Sequence, residues 1–230
     1  AGVYSNAGGK QFVHKLDPLL VSTFFSTVYG TNSVNPNISP TAFLVDTCEN
    51  IYMSGWGRCA ALNNPNPNTV TGMPITSNAF QSTTNGCDFY FIVLDHDAQS
   101  LLYGSFFGGT SSNEHVDGGT SRFDRGGTIY QSVCAGCWGN SDFPTTPGAW
   151  SNTNNSTLCN NGVIKLHFDM LISVSSFTAS PLSGCAPFVG NFQNMSTGAT
   201  GYIWDFGDGS PQDTSYQPTH TYPNPGVYTV

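Results

Sequence analysis

The chain has 230 residues, of which only 6 are Lys or Arg and 14 are Asp or Glu, for a formal net charge of −8. Without a Lys/Arg cluster it lacks the cationic surface whose counterion release drives nucleic-acid binding, and no run reaches the ~18–20 apolar residues of a membrane-spanning helix. Sparse charge with plentiful Gly, Asn, Ser, Thr and aromatic residues excludes long amphipathic helices and favours strands and loops.

The opening Ala1-Gly2-Val3-Tyr4 does not have the basic-then-apolar layout of a signal peptide, the expectation for a mature or excised chain. Phe12-Val-His-Lys-Leu16-Asp17 is echoed 78 residues later by Tyr90-Phe-Ile-Val-Leu94-Asp95. The same offset relates Val28-Tyr29-Gly30 to Phe106-Phe107-Gly108, Val45-Asp46 to Phe123-Asp124, Ile51-Tyr52 to Ile129-Tyr130, Ser54 to Ser132 and Cys59 to Cys137. A third copy of the first element, Val163-Ile-Lys-Leu166, stands 72 residues beyond Phe91-Ile-Val-Leu94, because the intervening loop is shorter. Independent segments that share one offset define a repeat.

Each repeat reads as four short strands, in the first full copy Ala42 to Asp46, Asn50 to Trp56, Phe89 to Asp95 and Ser100 to Phe107. A four-stranded antiparallel sheet cannot bury both faces alone, so the expected architecture is all-β, with propeller-type blades stacked face to face. Residues 1–176 form this region: a partial blade at 1–31, a blade at 39–109 and a blade at 117–174. These are too few to close a ring, and further blades are expected before Ala1.

The cysteines follow the repeat. Cys59 aligns with Cys137 and Cys87 with Cys159, and each pair brackets a long loop rich in Asn, Pro, Thr and Gly, Ala60 to Ser82 and Gly139 to Leu158. Disulfides Cys59–Cys87 and Cys137–Cys159 are therefore expected as structural fasteners, in keeping with an oxidising compartment. Cys134 and Cys137 also spell C-x-x-C, but with no second such motif and no paired His following at ligand spacing the redox or zinc alternative is set aside. Cys48 and Cys134 are left to pair across neighbouring blades.

No G-x-S-x-G elbow, H-E-x-x-H helix or phosphate-cradling loop occurs, so no catalytic, cofactor-binding or metal site is expected. Asp95-His96-Asp97 is the most polar cluster, yet it falls at a hairpin whose copy is Asp17-Pro18-Leu19. Glu114, His115, Asp117 and Asp124 lie between blades, where solvated turn residues are expected in preference to a cation site. Trp56, Trp138 and Trp150 near the loops allow sugar stacking. The sequons at Asn37, Asn154, Asn155 and Asn194 are weak signals in so Asn- and Ser-rich a chain.

From Phe177 the pattern changes. A turn-rich linker, Ala179-Ser-Pro-Leu-Ser-Gly-Cys185-Ala-Pro187, leads to a strand at Phe188 to Gln193. Then come Gly201-Tyr-Ile-Trp204-Asp205-Phe206-Gly207-Asp208-Gly209, Pro218-Thr-His220-Thr-Tyr222 and Pro225-Gly226-Val227-Tyr228-Thr-Val230. Tyr202, Trp204 and Phe206 alternate as one buried face and Gly207-Asp208-Gly209 supplies a turn. Asp205 and His220 are expected to satisfy backbone groups near it; calcium ligation by Asp205 and Asp208 is the alternative. These residues resemble the signature of PKD domains, which implies an immunoglobulin-like β-sandwich over 177–230, short of its last strand, with Trp204, Asp205, Gly207, Asp208, Gly209, His220 and Tyr222 in structural roles and Cys185 paired beyond the end.

The segments Asp117 to Asp124, Thr128 to Gly139 and Ser141 to Trp150 resemble propeller repeats that precede PKD domains in large Bacteroidetes surface proteins, several of them gliding-motility-associated adhesins or substrates of type IX secretion. The resemblance implies a non-catalytic, secreted cell-surface protein, its modules acting as rigid spacers or display platforms and able to build a fibre. Expected partners are other modules of the same polypeptide, further copies, or surface glycans and proteins. The alternative is an accessory or carbohydrate-binding region of a large secreted hydrolase.

Overall fold

A computed structural model of the chain describes residues 2–58, 68–116, 121–168, 175–196, 199 and 201–230. It is all-β: short strands form small antiparallel sheets, with only two three-residue helical turns among the described residues. Two compact units are present, Ala1–Phe168 and Asp169–Val230.

In the first unit, β1 (Gln11–Leu16) pairs with β2 (Thr23–Tyr29). β3 (Ser39–Val45), β4 (Ile51–Trp56), β5 (Phe89–Leu94) and β6 (Leu101–Phe107) form a four-stranded meander in chain order. A third sheet holds β7 (Ser121–Phe123), β8 (Thr128–Ala135) and β9 (Asn160–His167).

The strand pairing reproduces the repeat residue by residue. Ile51 faces Leu94 across the middle sheet and Ile129 faces Leu166 across the third, while Val45 faces Ile51 and Phe123 faces Ile129. The hairpin turns repeat too. The amide of Asp46 donates to Asn50 O and that of Asp124 to Thr128 O. Each carboxylate accepts the phenol of the following Tyr, Tyr52 at 3.0 Å and Tyr130 at 3.3 Å. Asp17 and Asp95 cap the other hairpin alike, receiving the hydroxyls of Ser22 and Ser100. An Asp that binds amides two to five residues on is the local chemistry of a tight turn.

β5 explains the stacking. Phe89-Tyr-Phe-Ile-Val-Leu94 is buried at every position, as a strand must be when both faces of its sheet are covered. Tyr90, Ile92 and Leu94 join Phe25 and Tyr29 of β2 in one core. On the opposite face Phe168 packs against Phe91 (5.7 Å), Tyr103 (5.2 Å), Tyr52 (6.1 Å) and Phe123 (6.1 Å). Buried Gln131 of β8 adds a polar tie, its Nε2 lying 3.1 Å from Thr41 Oγ1 and from Ser54 Oγ of the middle sheet. Sheets of two, four and three strands are thus packed face to face, with no closed ring among the described residues.

The two outer faces differ. Beyond β1 and β2 lie Phe12, Leu16, Phe24 and Val28, with His14 and Ser26 between them; Phe12 is 68 % and Phe24 61 % exposed. Beyond β8 and β9 lie Ser132, Asn161 and Lys165 beside Tyr130 and Val163; Ser132 Oγ donates to Asn161 Oδ1 and Lys165 Nζ sits over the Tyr130 ring.

The third sheet has three strands among the described residues, and residues 169–174, where a fourth strand of that blade would fall, lie outside them. Phe177 to Ser180 form β10, which pairs with β11 (Phe188–Asn194) in the second unit, on the side of the boundary expected at 177. The reason is packing: Phe177 meets Trp204 at 5.3 Å and Phe192 at 6.1 Å. β12 (Thr219–Tyr222) completes this three-stranded sheet, over a core of Phe192, Trp204, Phe206 and Tyr222. Tyr202, Trp204 and Phe206 alternate in burial as expected, but they form no strand; only an isolated bridge joins Trp204 to Asp213.

Candidate functional site

Three constellations hold most of the chemistry-bearing side chains. In the second unit the expected motif residues converge on one turn. Trp204 Nε1 donates to Ser215 O at 2.9 Å, the Gly207 amide donates to Asp205 Oδ1 at 3.0 Å, and the Ser210 amide to Asp208 Oδ1 at 3.0 Å. Gly207 and Gly209 adopt φ of 73° and 80°, the left-handed conformations the turn requires. Asp205 therefore caps backbone as expected, whereas His220 does not.

The His220 ring lies flat on Phe206, 4.1 Å away, and its Nε2 contacts Asp208 Oδ2 at 2.8 Å. Hydrogen bonds from Ser210 and then from His220 lower the Asp208 carboxyl to about 2. Tyr222 donates its phenol to Phe206 O at 3.2 Å and stacks on Tyr228. All these contacts are internal to the turn and core: an assembly for holding shape. Asp205 and Asp208 each spend a carboxylate oxygen on a backbone amide of their own turn.

Residues 179–230 match the PKD domain family. PKD domains are commonly extracellular structural or adhesion modules, and the internal bonding of this turn fits such a role. No curated protein matches the chain. No described helix is long and apolar enough to cross a membrane.

The second constellation lies beside the middle sheet of the other unit. Asp88 and Glu114 are essentially inaccessible, at 0 % and 1 % exposure, so the expectation of a solvated turn fails for Glu114. Both carboxylates point to Gly108, where a Cβ would lie 2.3 Å from Asp88 Oδ1 and 2.6 Å from Glu114 Oε2, so a larger residue would have to displace the pair. Burial raises Asp88 to about 6, and burial together with the Asp88 charge raises Glu114 to about 7. Ser112 Oγ donates to Glu114, the Gly109 amide donates to it at 3.3 Å, and Gln81 Nε2 lies 3.4 Å from Asp88 Oδ2. For Asp142 burial works upward, but Ser112 and the amides of Ser111 and Ser112 keep its carboxyl below the ordinary value. Asp124 serves its own hairpin, and Asp117 lies outside the described residues.

The third is built from cysteine. Cys137 and Cys159 form the disulfide expected at the base of the 139–158 loop. Cys87 is disulfide-bonded as well, while Cys59, its expected partner, lies outside the described residues. Cys48 is exposed in the turn between β3 and β4 and Cys134 stands on β8, and no disulfide joins the two. The amides and carbonyls of His115 and Cys134 bond each other reciprocally, at 3.2 and 2.9 Å, and bring the His115 ring to Cys134 and Cys159. Sequence spacing missed this, because it looked for a histidine after the C-x-x-C, and His115 precedes it on another segment.

The remaining polar candidates are spent on local structure. Asp95 caps its hairpin. Glu49, His96 and Asp97 cluster around the ammonium of Lys15, 2.9 Å from Asp97 Oδ1, so the chain supplies its own cation there. Trp56 packs against His115 at 5.6 Å, while Trp138 and Trp150 are open to solvent. Asn37 and Asn194 are buried, which removes both as glycan acceptors; Asn37 is held by Thr31 and Thr69.

Proposed function

We propose that the chain is a non-catalytic part of a secreted cell-surface protein in which stacked sheets and a PKD domain act as a rigid spacer or display platform. The observation that carries this is where the acidic side chains go: Asp17, Asp46, Asp95, Asp124, Asp205 and Asp208 each hold the backbone of their own turn. A carboxylate fixed in this way gives rigidity and is withdrawn from acid–base work on a ligand. The disulfide-fastened loop and the internally bonded PKD turn support the same role. The resemblance to gliding-motility-associated adhesins and type IX secretion substrates favours the bacterial cell surface as its place. Other modules of the polypeptide, further copies, or surface glycans and proteins are the partners.

The reading is tested by the intact mass and full peptide coverage of the native polypeptide. Additional blades and PKD domains without an enzyme domain are expected; a catalytic domain on the same polypeptide would make these residues its accessory scaffold.

One observation favours a carbohydrate-binding variant of that alternative. Trp150 is fully exposed and Trp138 is 59 % exposed on the loop fastened by Cys137–Cys159. Exposed indoles stack on sugar rings. If this loop is a lectin surface, Trp150→Ala abolishes retention on a glycan array; retention equal to the parent protein, or none by either, removes the variant.

A further inference from the structure

We propose that His115, Cys134, Cys137 and Cys159 form a latent Zn2+ site, closed when the Cys137–Cys159 bond is intact and opened when it is reduced. One ring nitrogen of His115 and the sulfurs of Cys134 and Cys159 all lie within 4.8 Å of one another. The fourth group is in place too: Cys137 Sγ is 3.9 Å from His115 Nδ1. Three thiolates and one imidazole are a structural zinc set, and tetrahedral Zn–S bonds of about 2.3 Å put neighbouring sulfurs about 3.8 Å apart. To meet that geometry the Cys134 and Cys159 sulfurs close by at most about 1 Å, while the Cys137 and Cys159 sulfurs, covalently joined in the oxidised chain, move apart to that separation once reduced.

The backbone holds the set in position. His115 and Cys134 are locked by their reciprocal hydrogen bonds, and Cys137 follows a sharp turn at Gly136, whose φ is 59° and where a Cβ would meet Asn140 O at 2.3 Å. The Trp56 ring packs against His115 and fixes its orientation, as second-shell groups do at metal centres.

The repeat provides an internal control. At offset 78 the positions equivalent to His115 and Cys134 are Asn37 and Trp56, neither able to complete such a set, while Cys59 and Cys137 correspond. Cysteines at the loop base thus recur in both repeats, and the extra His and Cys occur in one. A fastener needs only the pair; the two additional ligands convert it into a site.

The chemistry balances with a dithiol or phosphine as reductant. It passes two electrons to the Cys137–Cys159 bond and is itself oxidised, and the two sulfurs take up two protons. Zn2+ then displaces the protons of three thiols and accepts the lone pair of the imidazole, leaving a ZnS3N centre of net charge −1. Reduction and metal binding are linked, so Zn2+ makes the bond easier to reduce.

The test is a Co2+ titration of the full chain in a Cys48→Ser, Cys185→Ser background, which removes the exposed thiols. After phosphine reduction we expect one equivalent of Co2+ to bind, with thiolate-to-cobalt charge-transfer bands and tetrahedral ligand-field bands, and to be displaced by Zn2+. The oxidised chain is expected to show neither. His115→Ala and Cys134→Ser leave the disulfide intact and are verified as folded by circular dichroism before reduction; each is expected to weaken Co2+ binding at least about tenfold. No stoichiometric binding by the reduced parent, or the same bands and affinity in both variants, would overturn the proposal. The latter result would assign the metal to Cys59 and Cys87.

Discussion

Raising the pH from about 5 to about 8 is expected to destabilise the unit that contains Asp88 and Glu114. Both carboxyls hold their protons more tightly in the folded chain, at about 6 and about 7, than ordinary Asp and Glu do at 3.8 and 4.5. Between those values the native state binds more protons than the unfolded chain, so stability falls as pH rises. The contribution is fully present below pH ~4, is lost progressively towards pH ~7 and is flat above. Its size is on the order of 2–4 kcal/mol for the pair, which titrates as a unit because both carboxylates meet at Gly108.

Urea unfolding across this pH range, followed by site-resolved hydrogen exchange in β5 and β6, measures it. Glu114→Gln and Asp88→Asn should each flatten the profile. A midpoint that is unchanged or rises with pH would contradict the buried-pair account. Asp142 acts in the opposite sense and only in acid, because its folded carboxyl titrates below the ordinary value.

The second large effect is expected at Phe168. Its ring fills the space between the middle and third sheets, touching four aromatic rings drawn from β4, β5, β6 and β7. Phe168→Ala removes those contacts and leaves a cavity that rigid sheets cannot collapse to fill, costing about 3–5 kcal/mol. Phe168→Leu keeps most of the volume and should cost about 1–1.5 kcal/mol. The same hydrogen-exchange experiment reads the result: amides of β5 should lose protection in Phe168→Ala, and full retention would show that Gln131 and the other contacts suffice to hold the sheets together.

Phe168 also marks where sequence reasoning stopped. It belongs to no strand and no repeat pair, so nothing in its neighbourhood signalled that it is the keystone of an interface. Legible, by contrast, were the features with a fixed period. Offsets of 78 and 72 imply that Ile51–Leu94 and Ile129–Leu166 occupy the same place in successive sheets, and the strand pairing has them there. Cys137–Cys159 was legible for the same reason.

What escaped were contacts between segments with no shared pattern. Glu114 looked like a turn residue because its neighbours are Ser, Asn and His, and its burial depends on Asp88 and Gly108 from other segments. In sequence His220 reads as a residue that satisfies nearby backbone, because its partner Asp208 sits twelve residues away across a turn of irregular conformation. Short polar residues in irregular loops carry no periodicity, and their partners are settled only by tertiary packing.

The two outer sheet faces of the first unit differ in what they can meet. One presents Phe12, Leu16, Phe24 and Val28 with His14 and Ser26 between them, while the other sets Lys165 and the bonded pair of Ser132 and Asn161 beside Tyr130 and Val163. Laying the second on the first would press the Lys165 ammonium against phenyl and aliphatic surface, where it loses water and gains no partner. Phe12 and Phe24 are therefore better matched by an apolar sheet face than by a copy of the face that carries Lys165.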